Sequence, residues 1–87
     1  MKNKAILGAM AMDLKRAALS YYRGSDAIAE RFLEEALKRK NEVDINSVKP
    51  YVAKRLNELE NIKKENNEKA AEDALLYSTI FQNASQT

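Results

Sequence analysis

Apolar residues recur along this chain at intervals of three and four. Leu7, Met10, Leu14, Ala17 and Tyr21 form a heptad-like stripe, the spacing that gathers side chains on one face of an α-helix. Ile6, Ala18 and Leu19 widen it. The pattern predicts a first helix over about 3–23. Gly24 follows in the left-handed position that commonly closes a helix.

A second helix is predicted over about 26–41, with Ser25 as N-cap and Ile28, Ala29, Phe32, Leu33, Ala36 and Leu37 as its buried set. A third covers about 48–65 through Val48, Val52, Leu56, Leu59 and Ile62. Ser47 is its expected N-cap, and Pro50 sits in the first turn, where a missing N–H breaks no hydrogen bond. A fourth covers about 68–83, with Ala70, Ala74, Tyr77 and Phe81 in line and Ala71, Leu75, Leu76 and Ile80 beside them. Residues 84–87 are expected to fray. No alternation of period two signals a strand.

The breaks at 24–25, 41–46 and 66–67 are short, and short connections make successive helices antiparallel neighbours. The expected fold is therefore all-α: an up-down bundle of about four helices in one domain spanning 1–87. A chain of 87 residues buries a limited share of its surface. Closure of the bundle by dimerisation is accordingly an alternative to closure within one chain.

Charge supports side-by-side packing. Residues 1–24 hold five basic and one acidic side chain, net +4, and residues 25–46 hold four and six, net −2. Residues 47–65 hold five and three, net +2, and residues 66–87 hold one and three, net −2. The alternating sign suits packing of neighbouring helices and equally suits antiparallel association of two chains. Surface pairs of this kind select orientation more than they stabilise.

Composition narrows the chemistry. The chain has no histidine and no cysteine, so it lacks the usual proton shuttle, the thiolate nucleophile and the common ligands of zinc, copper and haem. The carboxylates Glu30, Glu34 and Glu35, and Glu68, Glu72 and Asp73, have no Glu-x-x-His partner of the kind di-metal bundles use. They are expected on solvated faces. No catalytic residue, metal or cofactor is expected. Lys2 and Lys4 ahead of Ala5–Met12 imitate a secretion signal, but the apolar run is short and charge resumes at Asp13, Lys15 and Arg16. No stretch approaches the ~20 apolar residues of a membrane span. A cytoplasmic location is expected, which the absence of cysteine suits.

Ala11, Leu14 and Ala17, then Gly24, then Ala29, Leu33, Ala36 and Leu37 resemble one helical hairpin of the tetratricopeptide or microtubule-interacting-and-transport type. The resemblance covers about a third of the chain and consists of small residues where two helices cross. It does not recur over 53–65, and a tetratricopeptide array needs three or more stacked repeats. It implies a tight hairpin and nothing further.

Two functional expectations follow. The first is a small interaction or scaffold protein that associates, as a homodimer and with another protein, through an apolar face of the first helix. Leu7, Met10, Leu14, Tyr21 and Tyr22 are its candidate contacts, and the same stripe reads equally as core. Gly8, with Ala5, Ala9, Ala11, Met10 and Met12, gives that helix a small-residue, methionine-rich surface suited to close approach. The alternative is a nucleic-acid-associated accessory protein using Lys38, Arg39, Lys40, Lys54 and Arg55. An antiparallel second and third helix would hold Lys38–Arg39–Lys40 and Lys63–Lys64 at opposite ends.

Overall fold

The computed structural model describes residues 2–87. Every regular element among them is helical: α1 (Lys2–Tyr22), α2 (Asp26–Lys40), a 3-10 turn (Ile45–Ser47), α3 (Pro50–Glu58), a 3-10 helix (Leu59–Lys64) and α4 (Asn67–Gln86). The expected all-α bundle is the one observed. α1 packs against both α2 and α4, α3 packs against α4, and the 3-10 helix reaches both α4 and α2. The four segments thus close a ring within one chain. Met10 and Leu14 of α1, Leu33 of α2, Leu56 of α3, Leu59 and Ile62 of the 3-10 helix and Phe81 of α4 meet in one fully buried apolar cluster.

The first hairpin is closed by local chemistry. Gly24 takes φ 76°, a left-handed conformation that costs a residue with a Cβ about 1 kcal/mol. The Gly24 N–H donates to the Tyr21 carbonyl and the Ser25 N–H to the Ser20 carbonyl, at 3.1 and 2.8 Å, so two helix-end acceptors are satisfied. Ser25 precedes α2 as expected, but its side chain makes no capping hydrogen bond.

The third segment departs from the expected single helix over 48–65. It is α-helical for nine residues and 3-10 for the next six. Leu56, Leu59 and Ile62 are all buried and stand three apart. A repeat of three eclipses side chains in a 3-10 helix, whereas an α-helix would rotate them away from one another. The helix also starts later than expected. Lys49 is its N-cap and Pro50 its first residue, while Ser47 ends the preceding turn and donates to Asp44 Oδ2 at 2.8 Å. That loop is tied down by Asn3, whose side chain donates to the Asp44 carbonyl and accepts from the Asp44 N–H, both at 3.0 Å.

α4 opens on Asn66, whose side chain accepts from the Lys69 N–H at 2.9 Å. It continues to Gln86, past the expected end at 83. The extra turn brings Ser85 beside Gly8 of α1. A Cβ placed on Gly8 meets Ser85 Cβ and Oγ at 3.7 Å, an ordinary contact. Close approach therefore does not require glycine there. Gly8→Ala is expected to stabilise the fold by about 0.5–1 kcal/mol, since alanine restricts the unfolded chain and favours helix. A melt followed by circular dichroism checks this, and an unchanged or lower Tm contradicts it.

Candidate interaction surface

Leu7, Met10, Leu14 and Tyr21 are all buried, Met10 and Leu14 completely. Their stripe is the side of α1 that closes the chain's own core. This corrects the expectation that they stand at a surface, because a heptad pattern reads the same whether its partner helix is in the same chain or another. Of the five candidate contacts only Tyr22 is exposed. Leu19, expected to widen the buried stripe, and Ile28, expected in the buried set of α2, are also exposed, and Phe32 and Leu37 are half-buried.

α1 carries a second line of positions. Met12, Lys15, Leu19 and Tyr22 follow steps of three and four, offset from the core stripe and turned outward. Gly8 lies on the same line and touches Ser85, so this outward line leans toward α4. On α4, Ser78 faces α1 and donates to the Ala11 carbonyl at 2.8 Å in a buried hydrogen bond. One step further round lie Glu68, Glu72, Leu75 and Thr79, all exposed. The two lines flank the α1–α4 seam on the side away from the core.

Met12, Leu19, Tyr22, Leu75 and Leu76 are between 42% and 58% exposed. Scattered exposed leucines are ordinary, but a grouped apolar surface rimmed by polar residues marks an interaction site. The rim here is sorted by sign, with Lys15 on α1, Arg23 just after it, and Glu68 and Glu72 on α4. Lys15, Arg23, Glu68 and Glu72 enter no ion pair among the described residues. Arg16 lies over the Phe32 ring, 5.9 Å from its centre.

Most of the candidate basic patch is neutralised within the chain. Lys38 Nζ is 3.5 Å from Glu35, Arg39 Nε 3.0 Å from Asp13, Lys40 Nζ 3.6 Å from Glu60 and Arg55 Nη1 3.2 Å from Glu58. Lys54 is exposed. The expectation that Lys38 and Lys63–Lys64 stay at opposite ends is corrected. The 3-10 helix crosses toward α2, so all three line one groove of about 520 Å³, together with Glu34 and Glu60. A larger cavity of about 610 Å³ lies where α1 begins and α4 ends. Its rim mixes Lys4 and Lys49 with Glu42 and Asp44 over a floor of Leu7 and Val52. Asp44 is already occupied by Asn46 and Ser47.

Glu65 is a group that the spacing of the sequence foretold only indirectly. It stands three residues beyond Ile62 on the line Leu56, Leu59, Ile62, and so is carried toward the core. Oε2 is 3.8 Å from Lys69 Nζ, and Oε1 is buried with no hydrogen-bond partner among the described residues. Burial raises its pKa, the adjacent Asp73 carboxyl raises it further, and Lys69 opposes both, leaving it at about 7. In the unfolded chain the ordinary value is 4.5. Between those values the unfolded state gives up its proton first, so Glu65 costs stability as pH rises through the window, with the full cost above about 7. Glu65→Gln keeps the shape and offers Asp73 a donor. It is expected to stabilise by about 1–2 kcal/mol at pH 8 and by nothing at pH 4. Urea unfolding at both pH values checks this, and an equal effect at both contradicts it.

Among the described residues no three acidic side chains converge as a metal site would. No helix among them is long and apolar enough to cross a membrane. Comparison with protein-family models, with curated proteins and with solved structures finds no match to this chain.

Proposed function

We propose that this is a small helical interaction or scaffold protein that acts by association, with a second copy or another protein, in the cytoplasm and without a catalytic step. Its contact surface is the outward face of the α1–α4 seam. The observation that carries this reading is that Met12, Leu19 and Tyr22 share one exposed line of α1, and Leu75 is exposed on α4, outside a core that is already closed. A bundle that needed these residues for its own stability would have buried them. Exposed apolar area of this kind costs solubility unless something covers it. Tyrosine beside arginine at Tyr22–Arg23 suits an anchor in such a surface.

The test is capture on immobilised wild-type protein and on Leu19→Asp. Leu19 is half exposed, so the variant is expected to keep its helicity and Tm within about 0.5 kcal/mol of stability. Partners, including free copies of the chain, should be retained by wild type and lost by the variant. If the two columns retain the same proteins, or wild type retains none, the surface is not a contact surface.

A further inference from the structure

We infer that the outward α1–α4 face is a self-complementary dimer interface, in which α1 of one copy lies antiparallel over α4 of the other. This rests on the contact surface proposed above and names its occupant as a second copy of this chain. Three features lead to it.

The first is the sorting of charge. The outward edge of α1 carries Lys15, with Arg23 just beyond its last turn, and the outward edge of α4 carries Glu68 and Glu72. The only acidic residue of α1, Asp13, is turned inward and bound by Arg39, so every charge on the exposed face of α1 is basic. The only basic residue of α4, Lys69, is held by Glu65 and Asp73, which leaves Glu68 and Glu72 to set the sign of the outward edge. One face of one molecule therefore holds both halves of a charge-matched pair.

The second is symmetry. A two-fold interface brings the same patch of both copies together. Stacking α1 on α1 would set Lys15 and Arg23 against themselves. A two-fold axis running along the helices instead sets α1 over the partner's α4. Within one chain Ala11 is level with Ser78 and Gly8 with Ser85. At that same level across the axis, Arg23 falls near Glu68, and Lys15 and Leu19 fall near Glu72 and Leu75. Apolar residues then meet apolar residues in the middle, with opposite charges around them.

The third is area. The molecule measures 35 × 19 × 18 Å. A face of that length and width offers at most about 650 Å² in projection, so two copies bury at most about 1,300 Å², and the contact must run most of the length of α1 and α4 to pass the ~1,000 Å² that a specific interface needs.

The arrangement makes a prediction that no other occupant shares. Lys15→Glu with Arg23→Glu makes both edges acidic. Glu68→Lys with Glu72→Lys makes both edges basic. Each variant paired with itself is mismatched at both contacts of the two-fold, but the two variants paired together are matched at both. Sedimentation equilibrium of each variant alone should show self-association weakened about tenfold or more, and the equal mixture should recover the wild-type mass. Circular dichroism confirms that both variants are folded. A wild type that stays monomeric up to about 1 mM overturns the dimer, while capture of another protein by the same face would leave the interaction reading standing. A wild-type dimer that is indifferent to the charge changes, or a mixture that does not recover it, overturns the arrangement. A monomer that instead binds phosphatidylserine vesicles through Leu19 replaces the second copy with a lipid surface.

Discussion

Met10→Asp is expected to unfold the protein. Met10 has no solvent exposure and sits within the cluster that joins all four segments. A carboxylate there is enclosed by apolar side chains, and burying it unpaired costs about 3–5 kcal/mol or more. A chain of this size holds roughly 5–10 kcal/mol of stability in total. The expected result is loss of most helical signal at physiological temperature, or a fall in Tm of more than about 20 °C. Met10→Leu conserves volume and should cost less than about 1.5 kcal/mol. The pair decides between two meanings of one sequence pattern. If the stripe faced a partner, Met10→Asp would give a folded, helical monomer that no longer associates. A folded Met10→Asp variant therefore contradicts the core assignment.

Arg39→Leu is the second large effect. Arg39 Nε donates to Asp13 Oδ2 at 3.0 Å, and the Asp13 side chain is only 10% exposed where α1 meets α2. Removing the guanidinium leaves that carboxylate without its cation, at an expected cost of about 2–3 kcal/mol. Replacing both residues, Asp13→Leu with Arg39→Leu, removes the stranded charge and should return most of the lost stability. The double-mutant cycle is then strongly non-additive, by about 1 kcal/mol or more. Additive losses would mean that the two side chains act independently and that the pair does not join the helices.

The elements were largely legible because the helices are long and their punctuation is chemical. Gly24 after the first stripe and Pro50 in a first turn mark boundaries by their backbone limits, and α1, α2 and α4 lie close to where those signals put them. The third segment was misjudged because its spacing shifts from four to three at Leu56, Leu59 and Ile62. That shift was present in the sequence and is the signature of the 3-10 turn that carries Glu65 inward. Asp13 was legible in the same way: it stands three after Met10 and four before Ala17, in line with buried residues.

The surface was harder to see. α1 carries two lines of helical spacing, and periodicity cannot say which one the rest of the chain covers. Ala70, Ala71 and Ala74 of α4, together with Ser78, let α4 lie close against α1, and that settles the core on the side of Met10 and Leu14. Met12, Leu19, Leu75 and Leu76 are the apolar residues left outside once both stripes are assigned. The basic residues misled for a related reason. Helix ends attract cations and their partners alike, and Lys38, Arg39, Lys40 and Arg55 each find a carboxylate within the chain.

The proposed association uses the outward face of α1 and not its heptad stripe. Sedimentation equilibrium of wild type and Leu19→Asp over a range of concentrations tests it most directly, with circular dichroism on the same samples. The expected result is a wild type whose mass rises toward twice the monomer value, and a Leu19→Asp variant that is equally helical yet stays at the monomer value. Identical masses for the two proteins at every concentration would contradict it.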